Sequence, residues 1–123
     1  MKVKKVKIGI KSVQDVFRDV KETVLKIDKG EGLPPVKAPE IYFTSFEVFR
    51  KALTPKRLEL LHIIKNQKPS SINELARMAK RDVKNVADDV KYLEQIGLIE
   101  TKETGRKTVP LIAYDKIALE IAV

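Results

Sequence analysis

Between positions 71 and 107 the chain carries a series of side chains that donate hydrogen bonds or bear positive charge: Ser71, Arg81, Lys84, Asn85, Lys91, Arg106 and Lys107. The chemistry open to such a set is recognition of anionic oxygens and of base edges. An asparagine amide donates and accepts at once, so it matches both groups on the major-groove edge of adenine, while a lysine reaches a guanine acceptor or a phosphate. Lys84 and Asn85 are accordingly the candidate base readers. Arg81, Lys91 and the Ser71 hydroxyl are candidate phosphate contacts, which set position without reading sequence. Arg106 and Lys107 suit an adjacent minor groove or its phosphates. Any one lysine is as often a solvated surface charge, so the set gains meaning only from the elements that carry it.

Those elements are legible. Ser71 caps a short helix, Ile72 to Ala79, and Glu74 three residues later completes a capping box. Leu75, Ala76 and Ala79 point inward on it. A turn of Lys80-Arg81 follows, and Asp82 caps a second helix, Val83 to Ile96. Val83, Val86, Val90 and Leu93 recur at intervals of three, four and three, the spacing of a buried stripe, which turns Lys84, Asn85, Asp88 and Lys91 outward. Gly97 is placed to end that helix in a left-handed conformation. Two short helices about three residues apart have helix-turn-helix spacing. Leu98 to Lys102 and Thr108 to Tyr114, around the polar tip Glu103 to Lys107, read as a β-hairpin wing. Ahead of them, Thr54 as N-cap with Pro55 at the first helical position starts a helix that buries Leu58, Leu61 and Ile64, widened by Leu60 and Ile63. His62, the only histidine, lies within it and is assigned no chemistry.

Residues 5 to 11 alternate, with Val6, Ile8 and Ile10 on one face and Lys5, Lys7 and Lys11 on the other, which predicts a half-buried strand with lysines guarding an edge. Ser12 caps a helix to Asp28, stopped by Lys29-Gly30. Its stripe of Val13, Val16, Phe17, Val20, Val24 and Ile27 either packs on the chain's own core or makes a dimer contact. Glu31 to Glu40 is a proline-extended linker. Ile41 to Thr44 reads as a short strand, and Ser45 caps a brief helix from Phe46 to Leu53. Residues 115 to 123 read as a last strand, pairing with the N-terminal strand of the same or of a second chain. Strand exchange would give a two-fold dimer whose recognition helices meet a palindromic operator. The expected organisation is α+β: residues 1–40 form an N-terminal strand-helix arm and linker, a candidate dimerisation element, and residues 41–123 form a winged helix-turn-helix with a C-terminal strand.

The bulk numbers agree with that reading. The chain has 123 residues, 43% hydrophobic and 34% charged, with a formal net charge of +8. Such a surplus favours polyanionic partners, because each neutralised phosphate releases condensed counterions. With no cysteine and one histidine there is no material for disulfides, thiolate nucleophiles or zinc ribbons, and no cofactor or metal is expected. No apolar run approaches the ~20 residues that span a bilayer, and Met1 to Ile10 lacks the continuous apolar stretch of a signal peptide, so a cytoplasmic protein is expected. No glycine-rich phosphate loop and no Ser-His-Asp or Cys-His set is present, and the adjacent Asp88 and Asp89 diverge on a helix, so no enzyme is expected. Four phenylalanines and three tyrosines scattered among apolar positions do not suggest an RNA stacking platform.

Residues Glu74-Leu75-Ala76 through Gly97-Leu98-Ile99 resemble, without gaps, the winged-helix core of MarR-like regulators. The chain is also similar to a group of archaeal and bacterial predicted transcriptional regulators. The likeness lies in Leu53 to Leu61 (Leu-Thr-Pro-x-Arg-Leu-x-Leu-Leu), Arg81 to Val86, Asp89-Val90 and Leu93 to Ile99. Gly105-Arg106, Pro110 and Tyr114-Asp115 in the wing add to it. It spans residues 41 to 121. The resemblance implies binding to double-stranded DNA as a homodimer, in transcriptional regulation, with antitoxin-type autoregulation among the roles. The alternative is a protein-interaction adaptor, or a basal transcription or segregation component. A small-molecule or protein effector has no signature in the sequence. Two positions depart from the MarR-like pattern: Asp89 stands where an apolar residue is usual, and Lys80 where a glycine is. Asp88 can pair with Lys84, and Asp89 can orient Arg81 or Lys91 or accept from a cytosine amino group.

Overall fold

The computed structural model describes residues 4–30 and 40–123; of the linker expected over Glu31 to Glu40, residues 31–39 lie outside them, and Glu40 is the first residue of a strand. In chain order the elements are β1 (Lys5–Ile10), α1 (Val13–Asp28), β2 (Glu40–Phe43), α2 (Phe46–Ala52), α3 (Pro55–Gln67), α4 (Ile72–Ala79), α5 (Val83–Gln95), β3 (Glu100–Thr104), β4 (Lys107–Leu111) and β5 (Lys116–Ile121). They form two compact units: Leu53–Asp115 with Lys4, and the described part of Lys5–Ala52 with Lys116–Val123. The first is a winged helix-turn-helix. Where the sequence was divided at residue 40, β2, α2 and β5 fell with the winged helix; in the structure they share a unit with β1 and α1, because β1 pairs with both β2 and β5.

In the winged-helix unit the three helices meet over Leu60, Leu61, Ile63 and Ile64 of α3, Leu75 and Ala76 of α4, and Val86, Val90 and Leu93 of α5, closed below by Leu98, Ile99 and Pro110. Local signals set the helix starts. Thr54, Ser71 and Asp82 each take an extended conformation and accept from a backbone N–H of the first turn, those of Arg57, Glu74 and Lys84. The Glu74 carboxylate reaches back one residue further than a capping box requires, accepting from both the N–H and the hydroxyl of Ser70. Two positions expected in the core are exposed. Leu58 is 46% exposed, because at ~100° per residue the buried face of α3 centres on Leu60 and Ile64 and puts Leu58 opposite, with Arg57 on the inner side. Val83, 43% exposed, continues the α5 stripe, but it is the first residue of the helix and opens onto a groove beside α4.

The end of α4 is a Schellman motif: the Arg81 N–H donates to the Ala76 carbonyl at 3.0 Å and the Lys80 N–H to that of Arg77 at 3.1 Å. This forces Lys80 to φ 56°, the left-handed region where a Cβ is penalised. Lys80→Gly should therefore raise the unfolding free energy by about 1 kcal/mol. An unchanged or lowered urea midpoint would show that the lysine is not strained there.

Tyr114 closes the wing from behind, its hydroxyl donating to the Leu98 carbonyl at 2.7 Å. Burial pushes its pKa up to about 12 from 10.0. The folded state thus holds this proton more tightly than the unfolded chain does. Its contribution is complete below pH 10 and is lost as pH rises through about 12. Tyr114→Phe should cost about 1 kcal/mol at neutral pH and flatten this alkaline decline. Parallel denaturation curves for both proteins between pH 9 and about 12 check it, and an unaltered decline in the variant would refute it. Next to it, a side-chain hydrogen bond from Lys65 at 3.0 Å and the backbone N–H of Lys4 hold the Asp115 carboxyl below the ordinary carboxylate range.

The second unit is built on a three-stranded parallel sheet of order β2-β1-β5. The helix between β1 and β2 makes a β-α-β crossover, which is what parallel neighbours require. Val6, Ile8 and Ile10 are buried along the central strand. In register with them are Ile41 and Phe43 on one side and Ile117, Leu119 and Ile121 on the other. Phe43 packs edge-on against Phe49 of α2 at 5.7 Å. On the opposite face Gly9 leaves room for the Tyr42 ring, which a Cβ would meet at 2.8 Å, and the Lys11 ammonium lies 4.9 Å from that ring's centre. β5 pairs with β1 of the same chain, so no strand exchange is needed to complete the sheet. Ser12 caps α1 as expected, but no residue of the helix is buried. Its apolar stripe runs along the surface, from Val13 at 53% through Phe17 at 69% to Ile27 at 45% exposure.

Candidate nucleic-acid interface

The exposed side of α5 carries Lys84, Asn85, Asp88 and Lys91, and burial of Val86, Val90 and Leu93 holds them outward. Lys84 and Asn85 occupy the first turn, where a recognition helix meets base edges. Asp88 lies between the two lysines on that face and is exposed. Arg106 and Lys107 are exposed at the wing tip. Thr104 pairs with Lys107, which leaves Gly105-Arg106 as a two-residue loop. Gly105 has φ 62° and Arg106 does not have a positive φ, the arrangement of a type II′ hairpin turn. The ends of the hairpin are braced by Thr101 donating to Glu94 of α5 and by Thr108 donating to Glu103 at 2.9 Å.

Two of the expected contacts are already engaged within the fold. The Ser71 hydroxyl accepts from the Glu74 N–H at 3.0 Å and caps α4, and its proton is still left to donate to a ligand. Arg81 donates from Nη2 to Asp89 at 2.8 Å, and its side chain is 19% exposed. The other Asp89 oxygen takes Nε of Arg57 at 3.1 Å, and the Arg57 guanidinium stacks 4.2 Å over Tyr92. One carboxylate thus joins the start of α3, the turn before α5 and the middle of α5. Asp89 orients Arg81, one of the roles its position allowed, and Arg81 faces inward to a partner rather than outward to a phosphate.

The structure adds residues that the sequence reading did not single out. Asn73, Arg77, Lys80, Arg81 and Val83 line an open groove of about 570 Å³ between α4 and the start of α5. Asn73 and Arg77 are exposed and four residues apart on the face of α4 opposite Leu75 and Ala76. Their helical spacing against the buried pair was the available signal. Lys80 adds a further exposed charge at the turn. The groove, the first turn of α5 and the wing tip therefore present cations and amides, with the exposed carboxylates of Asp82, Asp88 and Glu103 among them.

Among the described residues no helix is long and apolar enough to cross a membrane. No curated protein matches the chain. Solved structures similar to it include the homodimeric winged helix-turn-helix DNA-binding domain of Mb0332 from Mycobacterium bovis, at 23% identity over 51% of this chain and 58% of that one, with a TM-score of 0.47. A predicted DNA-binding transcriptional regulator from E. coli is similar at 21% identity over 56% and 74% of the two chains, TM-score 0.49. Reduced HlyU from Vibrio cholerae is similar at 19% identity over 55% and 70%, TM-score 0.47. The matched part is thus little more than half the length of the Mycobacterium bovis chain. A family model, HVO_A0114, matches residues 52–119, from the last residue of α2 through the helix-turn-helix and wing into β5. That match takes in more than half of the 123 residues, and the chain belongs to the HVO_A0114 family.

Proposed function

We propose that this protein binds double-stranded DNA in a sequence-specific manner and regulates transcription as a homodimer, as a repressor or antitoxin-like autoregulator. The observation that carries the reading is the first turn of α5, where Lys84 and Asn85 stand exposed on a helix whose opposite face is locked into the core. A flat helix face with a lysine and an amide side by side is suited to guanine and adenine edges in the major groove. The wing tip supplies Arg106 and Lys107 to the neighbouring backbone or minor groove, and Lys91 lies further along α5 for a phosphate. Arg77 and Lys80 extend this cationic surface along α4, while Arg81 acts through Asp89 as a positioning residue.

The test is binding to a fluorescent duplex bearing the region upstream of the protein's own gene, against a scrambled duplex, at several salt concentrations. Selective binding that the Lys84→Ala, Asn85→Ala double variant loses supports the reading. Equal, weak and salt-sensitive binding to both duplexes refutes sequence-specific regulation and leaves an adaptor with a basic surface.

A further inference from the structure

We propose that β5 is a self-association edge, at which two copies of this chain join antiparallel across a two-fold axis and extend the three-stranded sheet into one of six strands. The inference rests on the homodimer reading above and names its interface. β5 is an outer strand of the sheet: one side pairs with β1 over six residues, and among the described residues no strand lies on the other. Such an edge is a template for another chain unless it is short, bulged, proline-bearing, charged or covered. β5 is six residues long without proline, and its charges, Lys116 and Glu120, are of opposite sign, so they oppose an in-register parallel neighbour but pair across an antiparallel copy. The β2 edge differs, being four residues long with Phe43 covered by Phe49.

The side chains on β5 show what the edge fits. Leu119 and Ile121 are 41% and 50% exposed, while their register partners Ile8 and Ile10 are 0% and 7% exposed. The apolar face of the sheet therefore runs uncovered off its β5 side. Directly opposite residues of an antiparallel pair share a face. A pair centred on Ala118 sets Ile117 against Leu119 twice and Lys116 against Glu120 twice, so each lysine meets the partner's glutamate. Centring on Leu119 instead opposes Ala118 to Glu120 and Lys116 to Ala122, and both charge pairs are lost. A slip of one residue sets isoleucine against glutamate. Only the small Ala118 meets its own copy at the axis. Glu120 is held by Lys7 at 3.2 Å through one oxygen, and with its side chain 65% exposed the other oxygen is open to the partner's Lys116.

The chain has no cysteine, so an introduced one is the sole thiol. In the full chain Ala118→Cys sets two sulfurs opposite each other, within the ~4.4–6.8 Å Cα separation that a disulfide spans. It should give a covalent dimer on mild oxidation. Glu120→Cys alone should not, because the two copies of position 120 stand about 13 Å apart along the strands, whereas mixing it with Lys116→Cys should restore the cross-link. Sedimentation velocity should show the unmodified chain to be a dimer. A monomer would overturn the proposal together with the homodimer reading. A dimer that Ala118→Cys does not trap, or that Glu120→Cys traps equally well, would overturn the interface alone. In that case loss of the dimer on Val20→Glu would assign it to the α1 stripe. None of these measurements involves DNA, so they fail or succeed apart from the binding experiment.

Discussion

Asp89→Ala lowers the unfolding free energy by about 3 kcal/mol, among the largest effects expected of a single substitution away from the aliphatic core. Both carboxylate oxygens are used, at 3.1 Å by Arg57 and 2.8 Å by Arg81, and the three side chains are only 16–20% exposed. Removing the carboxylate leaves two guanidinium groups near each other in a poorly solvated place, and among the described residues Arg81 already has a buried Nη1 without a hydrogen-bond partner. Breaking a fully buried pair costs about 3–5 kcal/mol, and the remaining exposure puts this case at the low end. For a unit of this size that is a fall of about 12–24 °C in Tm. Asp89→Asn keeps acceptor capacity but not the charge, and should fall about halfway. A shift below ~3 °C for the alanine variant in a circular-dichroism melt would mean that the two arginines find water or other partners at little cost.

The second large effect is on recognition. The Lys84→Ala, Asn85→Ala double variant should lose about 100-fold in affinity for the operator duplex, ~2.7 kcal/mol, as expected when one bidentate base contact and one charged contact go together. Affinity for a scrambled duplex should fall only a few-fold, because the wing-tip and α4 cations proposed to drive non-specific binding are untouched. Fold and stability should hold, since both side chains project into solvent. The discriminating quantity is the ratio of the two affinities at one fixed salt concentration. If the variant lost the same factor on both duplexes, Lys84 and Asn85 would be backbone contacts, and base reading would have to be sought elsewhere on the α4–α5 surface.

Much of the winged helix could be read from the sequence because its signals are local. Thr54-Pro55, Ser71, Asp82 and Gly97 each act on backbone groups close by in sequence, and each starts or ends its helix in the structure as expected. Errors arose where several apolar residues offered more than one face. α3 has five within seven positions, and the choice of Leu58 over the Leu60–Ile64 face depended on what α4 presents to it. Val83 obeys the helical period, yet whether a terminal position is covered is decided by the neighbouring element. For Asp89 the nearby partner Arg81 could be named from the sequence, but its second partner, Arg57, lies thirty-two residues away and could not. The parallel sheet was the least legible part, because its central strand is defined by partners distant in sequence on both sides. The α1 stripe marks a surface that seeks cover, and a periodicity does not say from which chain the cover comes.

The winged helix is inserted between α2 and β5, and this gives the protein a built-in order of assembly. As the polypeptide is synthesised, β1, α1, β2 and α2 emerge first, but the sheet lacks a whole flank until β5 appears. The pairing of β1 with β5 starts with Lys5 against Lys116, 111 residues apart, whereas helix contacts within α3, α4 and α5 are made a few residues apart. Short loops close sooner than long ones, so the inserted unit folds while the early strands still wait. Any edge that recruits a second copy is thus the last to be completed, and a chain halted before β5 would present a formed helix-turn-helix without the strand proposed to join it to a partner.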